Sequence, residues 1–309
     1  MITTRLVSSA KNLITDHIIA QYAIHRQAHL KEETIPPLIV GLQGPQGSGK
    51  TYLTSLVDAQ LKGRPDKPSV VTFSLDDLYL THAGLVEVAQ KHPGNPILQG
   101  RGLPGTHDIE LAQQIFTSLL SSGRPSRPEL PTPQNMTLLP RFLKSLQSGQ
   151  GDRLPPQQST LVQAPVDIVL FEGWCLGFRP LGPQGLDEAF ASSVQGRFRD
   201  VGKDNLGAVE TELGRMVDGL WGVLNCFVQL SAPSLETIYT WRQQQEVDLQ
   251  SRSADRVMSP EEVIRFVDRY MPAYELWSAG VRANGTTWAG KGLGIVLGQQ
   301  REVVGIDTF

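Results

Sequence analysis

A phosphate-binding loop and three acidic side chains carry the chemistry legible in this chain. Gly44-Pro45-Gln46-Gly47-Ser48-Gly49-Lys50-Thr51 has the spacing of a P-loop. Its glycines let successive backbone N–H groups turn inward as a nest, and the helix that follows points its positive end at the same phosphates. Lys50 then reaches the β- and γ-phosphates of ATP, and the Thr51 hydroxyl can ligate Mg²⁺. Asp76 and Asp77 follow an apolar run directly. A carboxylate at a strand end can take the proton of a hydroxyl as that hydroxyl attacks the γ-phosphate. Aspartates also cap helices and fill turns, so residue type alone leaves the choice between these two open. Glu172 ends another apolar run, where an acid can hold the metal or its bound water.

These residues need a strand–loop–helix frame, and the sequence supplies one. Leu38-Ile39-Val40-Gly41-Leu42 is a short apolar run before the loop, and Thr51 to Leu61 has helical character. Ser69–Leu75, Val166–Phe171 and Leu224–Leu230 are expected as further buried strands. Asp108–Leu120, Glu210–Trp221 and Leu235–Leu249 are expected as helices. Ser259-Pro260-Glu261-Glu262 reads as a helix start, with a cap, a first-turn proline and two acids facing the dipole. Gly294–Leu297 and Glu302–Ile306 suit a closing hairpin. Short apolar strands alternating with helices predict an α/β fold, a three-layer α/β/α sandwich on a mostly parallel sheet. Apolar residues at helical spacing from Thr4 to His29 predict an N-terminal helical extension over 1–36, followed by a kinase domain over 37–309. The stretch from Gly123 to Pro165, rich in Pro, Gly, Ser and Gln, reads as irregular, and Arg197–Asn205 as a mobile polar segment.

Composition narrows the function. The chain has 309 residues and a formal net charge of -3, which argues against nucleic acid or an anionic membrane as partner. No apolar stretch is long enough to span a bilayer, and no signal-like segment opens the sequence. Cys175 and Cys226 form no disulfide framework or metal-spaced set and are expected as buried apolar residues, which suits a cytoplasmic location. Trp174, Trp221, Trp241 and Trp277 are expected as core or interface aromatics rather than nucleotide stackers.

The loop and the carboxylates together look like the P-loop superfamily of uridine kinase, phosphoribulokinase and bacterial pantothenate kinase. More closely, the chain resembles the D-glycerate 3-kinase family of plants and fungi. The matching segments are Gly44–Thr51, Ser74–Tyr79, Arg101–Asp108, Gly149–Arg153, Phe171–Phe178, Trp241–Glu246 and Arg269–Glu275. By that resemblance Asp76, rather than Asp77, is the general base. Arg101, His107 and Asp108 fall in the acceptor region over 101–165. Trp241–Glu246 opens a lid over 241–259, with Arg242 as the arginine that closes on the phosphates. Where the family pattern has an acid, between an aromatic residue and Lys-Ser, this chain has Leu143 before Lys144-Ser145.

The acceptor implied is a small acid, D-glycerate first. Its carboxylate calls for a cationic clamp, for which Arg101, Lys144 and Arg153 are the candidates. His107 could meet a substrate hydroxyl, and Arg252 and Arg256 are further lid candidates. The cradle is expected one strand away from the base. A nucleoside, pantothenate or a sugar phosphate are the alternative acceptors, and a regulatory nucleotide-binding protein is the alternative without turnover.

Overall fold

The computed structural model describes residues 2–192, 195–252 and 258–309, with backbone alone for 2–8 and 249–252. Its centre is a six-stranded sheet: β1 (Leu38–Gln43), β2 (Val70–Ser74), β3 (Ile168–Gly173), β4 (Cys226–Ser231), β5 (Gly292–Leu297) and β6 (Val303–Thr308). The spatial order is β6-β5-β4-β1-β3-β2. The first five strands are mutually parallel, and only β6 runs antiparallel, on β5. Continuous apolar runs form the inner strands because both sheet faces are covered, and every residue of β1 and β3 is buried.

Alternate residues of β1 feed two separate cores. Leu38, Val40 and Leu42 pack with Ile14 and Ile18 of α1 (Ile2–Ala28) and with Leu53, Val57 and Leu61 of α2 (Lys50–Lys62). Ile39 faces the other way, toward Phe73, Phe171 and Phe227 and the helices beyond them. Those helices include α4 (Ile109–Leu120) and α6 (Lys203–Gly219). The N-terminal helix is therefore a structural part of the first layer. Its Tyr22 hydroxyl donates to Asp167 at 2.9 Å, and Asp167 also receives Arg124 Nε at 2.7 Å and the Ser69 N–H at 2.7 Å. Burying side chains such as Ile14 and Ile18 contributes about 1.5–3 kcal/mol each.

Several segments hold more structure than their composition predicts. The stretch from 123 to 165 contains a hairpin of Met136–Leu139 with Thr160–Gln163, and a second short pair of Phe142–Leu143 with Asp152–Arg153. α3 (His82–Lys91) and α5 (Gly182–Ser192) are helices that the periodicity did not mark. Arg197–Asn205 is not a loose segment. It forms a helical turn and enters α6, because Glu275 accepts the N–H groups of Arg197 and Phe198 at 3.0 Å each and the Phe198 ring is buried. At the other end of the domain lie α7 (Glu236–Arg252), α8 (Pro260–Asp268) and α9 (Met271–Trp277). α8 starts with the reciprocal Ser259–Glu262 cap that its sequence announces. The four tryptophans expected as core or interface aromatics, and both free cysteines, are buried. No helix among the described residues is long and apolar enough to cross a membrane.

Candidate active site

The cradle follows β1. Gly47 has φ 76° and Gly49 φ 80°, the left-handed region that favours glycine. A Cβ on Gly47 would also lie 2.7 Å from the Trp241 carbonyl carbon. The loop therefore turns tightly against the start of α7 and delivers the chain into α2. At the head of α2, Lys50 Nζ lies 2.7 Å from Glu172 Oε2, and the Thr51 hydroxyl donates to Glu172 Oε1 at 3.1 Å. Glu172 is buried at 5% exposure. Strand register explains the meeting: Glu172 is level with Leu42 on one side and Ser74 on the other. Three parallel strands end together, so the loop after each opens onto one crevice.

This register corrects one expectation. Asp76 is two strands from the cradle, because β3 inserts between β1 and β2 and brings Glu172 into the middle. The Thr51 hydroxyl and the Glu172 carboxylate are adjacent oxygen donors, and no group of three or more His, Cys, Asp or Glu among the described residues is placed to hold a metal ion by itself. Mg²⁺ fits such a site, since it retains waters and takes its other ligands from phosphates.

The geometry separates the two aspartates. Asp77 closes a capping box with the Ser74 N–H at 3.4 Å and accepts the Phe142 N–H at 3.1 Å. It fastens backbone to backbone. Asp76 faces the crevice: Oδ1 accepts the Tyr79 hydroxyl at 3.0 Å, and Oδ2 lies 2.5 Å from Lys144 Nζ. Burial opposes ionisation of Asp76, but the Lys144 ammonium, reinforced by Lys50, overrides it and holds the carboxyl at about 2. Burial raises Asp77 instead, against the two N–H groups it accepts.

Of the acceptor-region residues, Lys144 and His107 face Asp76, and the others are engaged elsewhere. His107 stacks on Tyr79 with ring centroids 4.5 Å apart, and both its ring nitrogens are buried without a partner among the described residues. Burial lowers its pKa to about 4, only partly offset by Asp76, so it is neutral near pH 7. Arg153 donates to the Tyr79 carbonyl at 2.7 Å and to Asp108 at 2.9 Å, and Asp108 caps α4 by accepting the Leu111 N–H at 3.0 Å. These two are engaged with each other and with the walls of the crevice. Arg101 donates to the Gly149 carbonyl at 2.8 Å and lies 5.9 Å from the Phe142 ring centroid. The expected three-residue clamp is thus unequal, with Lys144 reaching Asp76 and the two arginines tied to carbonyls.

Arg242 also departs from its expected position. It pairs with Glu246 on its own helix and sits over the Phe266 ring at 5.1 Å, rather than reaching toward the phosphate loop. Its Nη1 is buried without a partner among the described residues. Of the other lid candidates, the side chain of Arg252 and all of Arg256 lie outside the described residues, as does 253–257 of the expected lid.

Two contacts to the cradle escaped the sequence reading. Arg301, in the turn between β5 and β6, donates to the Gly47 carbonyl at 2.8 Å, to Gln244 at 2.8 Å and to the Trp241 carbonyl at 3.3 Å. It ties the phosphate loop to the helix that carries Arg242. Tyr274 receives the Gln46 N–H at 3.2 Å. Tyr274 lies inside a segment already marked by resemblance, whereas a lone arginine in a hairpin turn has no local signal.

A phosphate loop whose lysine and threonine meet an acid on the next strand, with a second acid one strand further, is the construction of a P-loop kinase. The comparisons with known proteins are specific. The chain is 34% identical over 266 residues to the chloroplastic D-glycerate 3-kinase of Arabidopsis thaliana, covering 86% of this chain but 53%, about half, of that relative. It is 34% identical to the probable ATP-dependent kinase TDA10 of Saccharomyces cerevisiae, over 78% of each. The solved D-glycerate 3-kinase of Cryptococcus neoformans var. grubii superposes with a TM-score of 0.88 at 36% identity, covering 97% of this chain and 99% of that one. No family model matches. The chain belongs to the family of D-glycerate 3-kinases and their related fungal ATP-dependent kinases.

Proposed function

We propose that this protein transfers the γ-phosphoryl group of MgATP to a hydroxyl of D-glycerate, forming 3-phosphoglycerate. The observation that carries the reading is Asp76, a carboxylate at the end of β2 that binds side chains rather than backbone, opening onto the crevice that holds Lys50 and Glu172 and flanked by a cation and a neutral histidine. The names of the relatives supply the acceptor, and an acidic acceptor suits a crevice whose exposed charged head is Lys144.

In this reading the backbone N–H groups of Gly44–Thr51 and Lys50 hold the triphosphate, and Thr51 and Glu172 hold Mg²⁺ directly or through water. The metal supplies charge neutralisation at the phosphates. Lys144 and Arg101 meet the acceptor's carboxylate, and neutral His107 can accept from one hydroxyl or donate to another. Arg153 and Asp108 act one step back, fixing Tyr79 and the start of α4. The acceptor oxygen bonds the γ-phosphorus while the bond to the β–γ bridging oxygen breaks. ADP leaves with that electron pair, and Asp76 takes the hydroxyl proton. Arg242 must leave Glu246 to place its charge on the transferring group. The buried free cysteines accord with a reducing, cytosolic location.

The test is ADP release from the purified protein with MgATP and a panel of D-glycerate, uridine, pantothenate and a sugar phosphate. D-glycerate should stimulate release well above all the others. Stimulation by uridine but not by D-glycerate would replace the acceptor, and stimulation by none would remove the kinase reading.

A further inference from the structure

Asp76 and Asp77 both fasten the segment that begins at Phe142, and they do so in physically different ways. Asp77 binds main-chain N–H groups, at Ser74 and Phe142, which no small ligand can displace without unfolding the turn. Asp76 binds the ammonium of Lys144, a strongly hydrated point charge on a flexible four-carbon stem whose side chain is 57% exposed. One contact is permanent by construction. The other can be exchanged.

The surroundings of Asp76 leave Lys144 as the exchangeable partner. Lys50 faces Asp76 but pairs with Glu172 at 2.7 Å, and in the reading above it is held by the phosphates once the nucleotide binds. His107 faces it uncharged. Tyr79, Tyr270, Tyr274 and Cys175 face it as neutral groups whose ionisation burial suppresses, and Asp77 is a neighbouring acid. Lys144 is thus the cation beside Asp76 that, among the described residues, has no other anion to hold it.

We propose that Lys144 gates the reaction by masking Asp76 until an anionic acceptor draws the ammonium away, so that the acceptor's carboxylate triggers transfer as well as binding. This rests on the reading of Asp76 as the base and of the acceptor as a small acid. Paired with Lys144, the carboxylate is too weak a base to assist an alcohol, because general-base efficiency follows basicity. When the acceptor's carboxylate takes over the Lys144 ammonium, Asp76 keeps its burial and loses its closest cation, and its proton affinity rises just as a hydroxyl arrives. A water molecule entering the same crevice carries no negative charge and leaves the mask in place. Hydrolysis would otherwise run by the same balance: water oxygen bonds the γ-phosphorus, the bridging bond breaks, ADP departs and Asp76 takes a proton. The gate suppresses that loss.

The experiment compares wild type with Lys144→Met and Lys144→Arg, using MgATP with no acceptor, with D-glycerate, and with glycerol, which offers similar hydroxyls without a carboxylate. Lys144 is more than half exposed, so these variants are expected to fold. Lys144→Met should raise acceptor-free hydrolysis and the kcat for glycerol about tenfold, and lower kcat/KM for D-glycerate. Its acid limb with glycerol should move to higher pH, and Lys144→Arg, which still presents a cation to Asp76 and pairs with a carboxylate more tightly, should hold acceptor-free hydrolysis at or below the wild-type level. The gain should vanish when Asp76→Asn is added. Hydrolysis and glycerol turnover that are unchanged or reduced in Lys144→Met would overturn the gate and leave Lys144 as a simple carboxylate clamp. A gain that survives Asp76→Asn would overturn it equally. The hydrolysis arm does not depend on the acceptor's identity, so a failure of D-glycerate as substrate is read separately from a failure of the gate.

Discussion

The nucleotide side and the acceptor side of the crevice are built by opposite strategies. The cradle is eight consecutive residues between one strand and one helix, and its geometry follows from glycine conformation and a helix terminus. The acceptor side is assembled from residues between 76 and 153, joined by a two-residue strand pair, ion pairs that include Lys144–Asp76, and a stacked Tyr79–His107 couple. The difference teaches where adaptability lies. A main-chain nest serves any triphosphate, while side-chain networks can be retuned for a particular acceptor without disturbing it.

The sharpest way to split the two sides is Asp76→Asn. It should cost 10²- to 10⁴-fold in kcat, the range for loss of a general base, while leaving ATP affinity within about twofold. Turnover and nucleotide titration together check this, and near-normal turnover would take the base away from Asp76.

A second test asks whether the acceptor side stores instability that the cradle lacks. His107 is neutral in the fold down to about pH 4, whereas an unfolded histidine takes its proton near 6.5. The unfolded state therefore binds more protons between these values, and stability should fall by up to about 3 kcal/mol as pH drops from 6.5 to 4. Asp76 works in a separate window. Its depressed pKa gives a contribution that is full above the ordinary carboxylate value and is lost only as pH falls through about 2. Urea midpoints against pH, for wild type and His107→Gln, check the point. The variant should flatten the decline above pH 4, and parallel curves would place the acid sensitivity elsewhere.

The smallest expected effect lies on the cradle side. Arg301→Gln removes the tether from the Gly47 carbonyl to α7 and should raise the KM for ATP about fivefold, with the KM for the acceptor nearly unchanged. Equal changes in both constants would show that Arg301 supports the whole crevice rather than the phosphate loop.

Legibility followed the same division. The strand at Leu38–Gln43, the loop and the helix from Lys50 were readable because each is a contiguous pattern. Asp76 and Glu172 were readable as acids ending apolar runs. The reading could not separate Asp77 from Asp76 by residue type, since the difference lies in which partner each finds 65 or 68 residues away. Nor could it see that Arg153 and Asp108 neutralise each other, that Arg242 turns to Glu246, or that Arg301 reaches the loop from 254 residues away. The short strands inside 123–165 were hidden by a composition that resembles loop.

By itself the sequence determined the phosphate loop, the two acids at strand ends and the alternation that demands a covered parallel sheet, because these are local consequences of glycine geometry, hydrophobic runs and helix polarity. Tertiary structure alone decided the strand order that inserts Glu172 between the cradle and Asp76. It also decided which acid each of Lys144, Arg153 and Arg242 pairs with. Strand order and ion pairing depend on which distant segments meet, and a charged side chain's role is set by the partner it meets there.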